Sequence, residues 1–321
     1  MPVMETEIGG QDLKRAFAAA RVQLEQHIDE VNALNVFPVP DGDTGINMYL
    51  TMKSAVDAVE GIQETSVAII SASAAKGALM GARGNSGVIL SQIMKGIAKG
   101  LEEKETCSFP DFAGALHMGS ELAYKVVNDP VEGTILTVIR EVSEEASRVA
   151  AKMVSFGRAI ASVVVRARET VKKTPEMLPV LKEAGVVDAG AKGLYYILKG
   201  MESAICRKDS STRSGKVSSR KASTTKEVER LYGFDVQFLL EGENLPVDEI
   251  KEKVISSGEC PLVVGDEELL KVHVHTMNPD EILSYARSKG TLSDIVVEDM
   301  DLQVNEQVKK KGGLAGDEPS L

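Results

Sequence analysis

Tryptophan is absent from the 321 residues, and seven Phe and six Tyr bring the aromatic share to only 4%. Stacking platforms for single-stranded nucleic acid are therefore missing. The core has to be built from Leu, Val, Ile, Ala and Met, a composition that suits packed helices. Cysteine is scarce as well: Cys107, Cys206 and Cys260 are odd in number and far apart. That excludes a disulfide framework and a paired-cysteine metal site, and fits a reducing compartment. Positive charge is in short supply, with 37 Lys and Arg against 48 Asp and Glu and a net charge of −11. Such a surface repels a phosphate backbone, so no nucleic-acid partner is expected. Long apolar runs are lacking too. No window reaches the roughly 18 uncharged apolar residues of a membrane span, and the acidic first residues are not followed by the apolar stretch of an export signal. The expectation is a soluble, unexported, cytoplasmic chain with no transmembrane segment.

What is present is an ordinary globular composition, 43% apolar and 26% charged, long enough for about two domains. From 11 to 31, Leu13, Phe17, Ala20, Leu24, Ile28 and Val31 recur at spacings of three and four, the stripe of an amphipathic helix. Similar stripes cover 46–59, 67–79, 88–101, 112–127, 135–149, 153–171 and 194–206. Gly, Pro and Asp cluster between them, and nothing alternates like a strand. Residues 1–206 thus read as an all-α domain of about eight helices. Ser, Thr, Lys and Arg dominate 207–226, which reads as a flexible basic linker. Beyond it, 235–240, 261–264 and 270–275 read as strands and 247–256 and 279–289 as helices, a small α/β domain over 227–307. Residues 308–321 have nothing to pack and are expected to be disordered.

Chemistry gathers at four places, each just ahead of a predicted helix. Asp41-Gly42-Asp43-Thr44-Gly45 sets two carboxylates two residues apart in a turn. Paired carboxylates repel unless a cation lies between them, and Mg²⁺ takes one or two carboxylates together with phosphate oxygens and water. Asp41 and Asp43 are the candidate magnesium ligands, although a plain turn and helix cap would use the same residue types. Gly81-Ala82-Arg83-Gly84-Asn85-Ser86-Gly87 opens onto the stripe at 88–101. Its amides and the helix dipole favour an anion, which makes Gly84, Asn85, Ser86 and Gly87 candidate phosphate contacts; a tight inter-helix turn is the plainer reading. Neither a Walker sequence nor a strand-associated glycine fingerprint is matched. The third and fourth clusters are Asp129-Pro130-Val131-Glu132-Gly133-Thr134 and Val187-Asp188-Ala189-Gly190. If alternate helices of a bundle run the same way, all four can share one rim. Every cluster precedes Cys206, so the pocket is expected to be complete within the helical domain. Separately, His273 and His275 lie two apart on a predicted strand and share a face, within reach of one metal.

Taken together, these motifs resemble the nucleotide-binding L-subunit domain of dihydroxyacetone kinases. The chain is most similar to the fatty acid kinase A subunit, whose next domain carries a Val-His-Val-His-Thr strand like the one ending at Thr276. The resemblance covers most of the chain in the same order. It implies an eight-helix barrel that binds ATP at one end, with Mg²⁺ on Asp41 and Asp43, and a nucleotide pocket lined by Thr44, Asn47, Gly84, Asn85, Ser86, Thr134, Asp188 and Gly190. Dihydroxyacetone kinases carry a third aspartate ahead of the turn; here Asn35 holds the comparable place with altered spacing, a weak ligand at best. The resemblance also implies Zn²⁺ on His273 and His275, completed in relatives by a cysteine whose place is held here by Asp235. The implied activity is ATP-dependent phosphorylation of a fatty acid presented by a carrier protein, as one component of a two-component kinase. The alternatives are glycerone kinase-type transfer with a separate substrate subunit, or a non-catalytic ATP-binding regulator. The related subunits are longer, so a C-terminal domain is expected to be lacking here. Whether two copies pair as a homodimer stays open.

Overall fold

A computed structural model describes residues 7–152, 154–206 and 231–313. The linker expected at 207–226 lies outside them. The helical part opens with β1 (Glu7–Gly9), α1 (Gly10–Glu25) and α2 (Ile28–Ala33), followed by α3 (Thr44–Asp57), α4 (Val67–Met80) and α5 (Gly84–Gly100). After β2 (Thr106–Ser108) come α6 (Phe109–Val126), α7 (Ile135–Ala150), α8 (Phe156–Met177), α9 (Pro179–Ala184) and α10 (Ala189–Cys206). The stripe read as one helix over 11–31 is broken at His27. There the imidazole Nδ1 donates to the Gln23 carbonyl at 2.7 Å and the ring stacks on Tyr196 with centroids 3.8 Å apart. The side chain competes for a helix carbonyl and the chain turns. Two short strands appear where none was expected: Glu7 to Gly9 pairs antiparallel with Thr106 to Ser108, too short for alternation to register.

Among the described residues, the long helices form a circuit. Each of α1, α3, α4, α5, α6, α7, α8 and α10 packs on the next, and α10 returns to α1. Small residues permit the close approach: a Cβ on Gly200 would lie 2.5 Å from the Ala20 Cα, and one on Gly96 would collide with the Gly119 backbone. This is how a chain without Trp fills its core. Three of the large rings cluster, Phe109, Phe112 and Phe156, where Phe109 meets Phe156 edge-on at 5.3 Å.

The second part is a small sheet domain. It comprises β3 (Phe234–Glu241), α11 (Val247–Ser257), β4 (Glu259–Gly265), β5 (Leu269–Thr276), α12 (Pro279–Arg287), β6 (Thr291–Asp299) and α13 (Met300–Gly313). The strands are antiparallel in the order β4-β5-β3-β6. Val236, Phe238 and Leu240 of β3 with Val272 and Val274 of β5 form its core together with Ile250, Val254 and Ile282 of the helices. On the other face polar pairs face each other: Asp235 pairs with His275 and Gln237 with His273 across the β3–β5 ladder, followed by Leu239 with Lys271. That face is buried as well, because the domain packs on the helices, with Leu262 and Val264 against Ala82 and Val88. β6 is a largely exposed edge strand with a register shift, so it has no clean alternation for a sequence pattern to show. Helix α13 runs to Gly313, past residue 308 where order was expected to end; 314–321 lie outside the described residues. No described helix is long and apolar enough to cross a membrane.

Candidate active site

The Asp41–Asp43 turn is held by residues on two neighbouring elements. Asn32, near the end of α2, accepts the Gly45 N–H at 2.7 Å and the Ile46 N–H at 3.2 Å, so the first amides of α3 are capped from another helix. A Cβ on Gly45 would lie 2.5 Å from the Ile28 carbonyl oxygen, an approach only glycine allows. Gly42 has φ +76, in the left-handed region. Asn35 is buried; its Nδ2 donates to Asp41 and its Oδ1 accepts from the Thr44 hydroxyl at 2.9 Å. Both ends of that amide are engaged, so here it braces the turn. Asn47 Nδ2 donates to Asp43 at 2.7 Å. The two carboxylates are half-buried, with enough protein packed around them that lost solvation raises both above the ordinary aspartate range. They hydrogen-bond each other, and Asp235 of the sheet domain adds repulsion to both. Such a pair needs a shared proton or a cation, and its hard oxygens suit Mg²⁺.

Helix α5 begins at Gly84, four residues ahead of its apolar stripe, so Gly84, Asn85, Ser86 and Gly87 form its first turn. Gly84 has φ +56, and a Cβ there would collide with Asn47 Nδ2. Thr134 caps α7, its hydroxyl accepting the Leu136 N–H at 3.3 Å. Asp188 opens α10 by accepting the Ala191 N–H at 2.7 Å. Burial pushes the Asp188 carboxyl up to about 7, against the Ala191 and Ile135 amides that pull it down. One cavity of about 270 Å³ collects Thr44 from α3, Asn85 and Ser86 from α5, Thr134 from α7, and Asp188 and Gly190 from the start of α10. The starts of alternate helices in the circuit thus face one space, where their dipoles favour an anion. Asp41, Asp43, Asn47, Gly84 and Gly87 are not among its lining residues; the carboxylate turn reaches it through Thr44. The cavity is not closed by helices alone: Cys260, Pro261 and Leu262 of β4 also line it.

The sheet's polar face carries a second cluster. Asp235, His273 and His275 are buried and offer ligand atoms within 4.8 Å of one another. Asp235 Oδ1 and His273 Nδ1 lie 3.0 Å apart as an ion pair, and His273 Nε2 has no hydrogen-bond partner. Burial lowers His275 to about 4, which keeps it the neutral imidazole that binds metal. Two buried imidazoles and a buried carboxylate at this spacing, with His273 Nε2 unsatisfied, fit Zn²⁺.

A DAK2 domain model matches residues 38–203, the stretch that holds the carboxylate turn and all four helix starts. The chain belongs to the DAK2 domain family. A model for the middle domain of proteins like the fatty acid kinase A subunit matches residues 231–307, so both parts are those of a kinase-type family. An uncharacterized protein of Staphylococcus saprophyticus is 38% identical over 97% of this chain and 59% of its own length. Protein YloV of Bacillus subtilis is 36% identical over 97% of this chain and 59% of its own length. An uncharacterized protein of Staphylococcus aureus is 34% identical over 96% and 58%. The chain spans about three fifths of the length of these relatives.

Residues that sequence reading missed lie where the DAK2 domain meets the middle domain. Gly84 N–H donates to Gln237 Oε1 at 2.9 Å. Arg83, beside it, forms a two-pronged pair with Asp294 at 2.9 and 2.8 Å. Asp294 also receives the buried Lys271 Nζ at 3.0 Å. It sits at the β6 register shift with φ +49, a bulge that re-aims its side chain. One signal was available. Asp235 and Gln237 on one strand and Lys271, His273 and His275 on another put five polar groups on a single face, and a face that polar inside a domain implies something polar opposite it.

Proposed function

We propose that this chain is the ATP- and Mg²⁺-dependent phosphotransferase part of a kinase that converts a carrier-bound fatty acid to its acyl phosphate. The observation that carries the reading is the convergence of four helix starts on one cavity whose lining includes Thr44, the residue after Asp43. The helical circuit is then the eight-helix barrel of the resembled kinases, residues 1–206 the nucleotide-binding unit, and the cytoplasm its compartment. Thr44, Asn85, Ser86, Thr134, Asp188 and Gly190 line the nucleotide's space, and Asn47, Gly84 and Gly87 hold that lining in place. Asp41 and Asp43 hold the magnesium, whose charge would draw electron density from the γ-phosphate. Asn35 and Asn47 fix the carboxylates, and Asn32 keeps the Gly45 and Ile46 amides in line.

The acceptor chemistry agrees with what these residues lack. A fatty acid carboxylate is ionised at neutral pH, so its oxygen attacks the γ-phosphorus without a general base. The bond to the bridging oxygen breaks and ADP leaves with that electron pair. Nothing in the cavity lining has to move a proton. To test the reading, the purified chain is incubated with ATP, Mg²⁺ and a fatty-acid-loaded carrier and assayed for acyl phosphate, trapped as the hydroxamate, and for ADP. Nucleotide binding without acyl phosphate supports the regulator instead; phosphorylation of dihydroxyacetone with a partner subunit supports the alcohol kinase.

A further inference from the structure

Gln237 occupies a position that neither the nucleotide pocket nor the metal cluster accounts for. It is buried on β3, two residues from Asp235 and so on the same face. Its Oε1 accepts the Gly84 N–H at 2.9 Å, and its Nε2 donates to Asp235 Oδ2 at 2.6 Å. The orientation of the amide is fixed by these neighbours. Turned over, its NH₂ would face an N–H and its oxygen a carboxylate, and both contacts would repel. One carboxamide therefore joins the first amide of α5 to a member of the metal cluster. Asp235 Oδ2 is engaged by Gln237, which leaves Oδ1 facing His273 Nδ1 at 3.0 Å. On the other side, Gly84 packs against Asn47, whose amide holds Asp43 at 2.7 Å.

We propose that Gln237 is a positioning residue that couples metal uptake at Asp235, His273 and His275 to nucleotide uptake at the start of α5. This rests on the kinase reading above. A metal ligated by Oδ1 fixes the Asp235 carboxylate, which fixes the Gln237 amide, which holds Gly84 and the turn behind it in one arrangement. Ordering done in advance by the first ligand is not charged to the second, so the coupling is positive. By linkage it is also reciprocal.

The test uses the full chain stripped with chelator and repleted with excess Mg²⁺. Calorimetry measures Mg-ADP affinity with and without saturating Zn²⁺, equilibrium dialysis measures Zn²⁺ affinity with and without Mg-ADP, and hydrogen exchange follows the peptide containing Gly84. Each ligand is expected to tighten the other by the same factor, at least about fivefold, and Zn²⁺ should slow exchange at Gly84. In Gln237→Met, which fills the same space without hydrogen bonds, the factor should fall to near one. Gln237→Asn, an amide one methylene short of Gly84, should do the same and serves if the first variant folds poorly. Should neither fold, the reciprocal titrations and the Gly84 exchange of the unmodified chain still decide. No Zn²⁺ uptake, equal Mg-ADP affinity with and without Zn²⁺, or a factor unchanged in both variants overturns the proposal while leaving the kinase reading standing. Absence of Mg-ADP binding under every condition overturns the kinase reading itself, and the coupling with it.

Discussion

Single side chains in this protein are held under electrostatic tension that a ligand would relieve. Asp41 and Asp43 are desolvated, adjacent and further repelled by Asp235. Neutralising one should therefore not weaken the metal-free fold. Asp41→Asn is expected to melt at or above the wild-type temperature without metal, to lose phosphoryl transfer, and to lose the rise that saturating Mg-ADP gives the wild type. At a hundredfold excess over Kd that rise is roughly 5–10 °C. Scanning calorimetry on both proteins checks it; an undiminished rise in Asp41→Asn would remove Asp41 from the magnesium site. Asp188 makes a second case. Its carboxyl is pushed up to about 7 by burial, whereas an unfolded aspartate titrates near 4. The folded chain holds a proton that the unfolded chain releases. The group's contribution to stability is thus full below about pH 4 and is lost as pH rises through about 7, a swing on the order of 4 kcal/mol. Asp188→Asn keeps an acceptor for the Ala191 N–H and has nothing to ionise. Its melting temperature should fall less than the wild type's between about pH 5 and 8; parallel curves would show that Asp188 stays solvated.

At the scale of elements, the helices were legible because period-3.6 stripes of Leu, Val, Ile and Ala persist over three turns or more, and their connections carry Gly, Pro and Asp. Their starts were less so. The stripe of α5 begins at Val88, but the helix begins at Gly84, since residues facing a cavity need not be apolar. The same offset places Asn85 and Ser86 inside a helical turn, where their spacing is fixed, rather than in a loop. What no pattern announced is how closely the helices pass. Gly96 on α5 lies against Gly119 on α6, and a Cβ there would meet Gly119 backbone that cannot rotate aside. Gly96→Ala should destabilise the chain by roughly 1–3 kcal/mol as overpacking, although alanine is the better helix former. Urea denaturation measures it, and a stabilised Gly96→Ala would mean the two helices can separate without loss.

At the scale of the molecule, composition and periodicity separated a helical part from a small sheet part, while the junction between them stayed invisible. Composition and periodicity are local, and the contacts that join the parts are between residues more than 150 positions apart, such as Gly84 with Gln237 and Arg83 with Asp294. The four helix-start clusters all precede Cys206, so sequence alone favours a pocket that is complete without the sheet domain. The structure puts Cys260, Pro261 and Leu262 in its wall, seals that wall with Leu262 and Val264 against Ala82 and Val88, and holds the Gly84 amide with Gln237. The helical part keeps its own core and should fold when released. A fragment ending at Cys206 is therefore expected to melt cooperatively and to bind Mg-ADP more weakly than the full chain by at least about tenfold, which corresponds to 1.4 kcal/mol. That is a modest demand for losing one wall of the cavity and the Gln237 contact. Adding the sheet domain in trans should recover little of the affinity, because the interface includes few apolar residues and no longer has a tether to raise its effective concentration. Calorimetry on the fragment, the full chain and the mixed parts distinguishes the cases. A folded fragment with the full chain's affinity would show that the helix starts suffice and that β4 merely lies alongside the nucleotide.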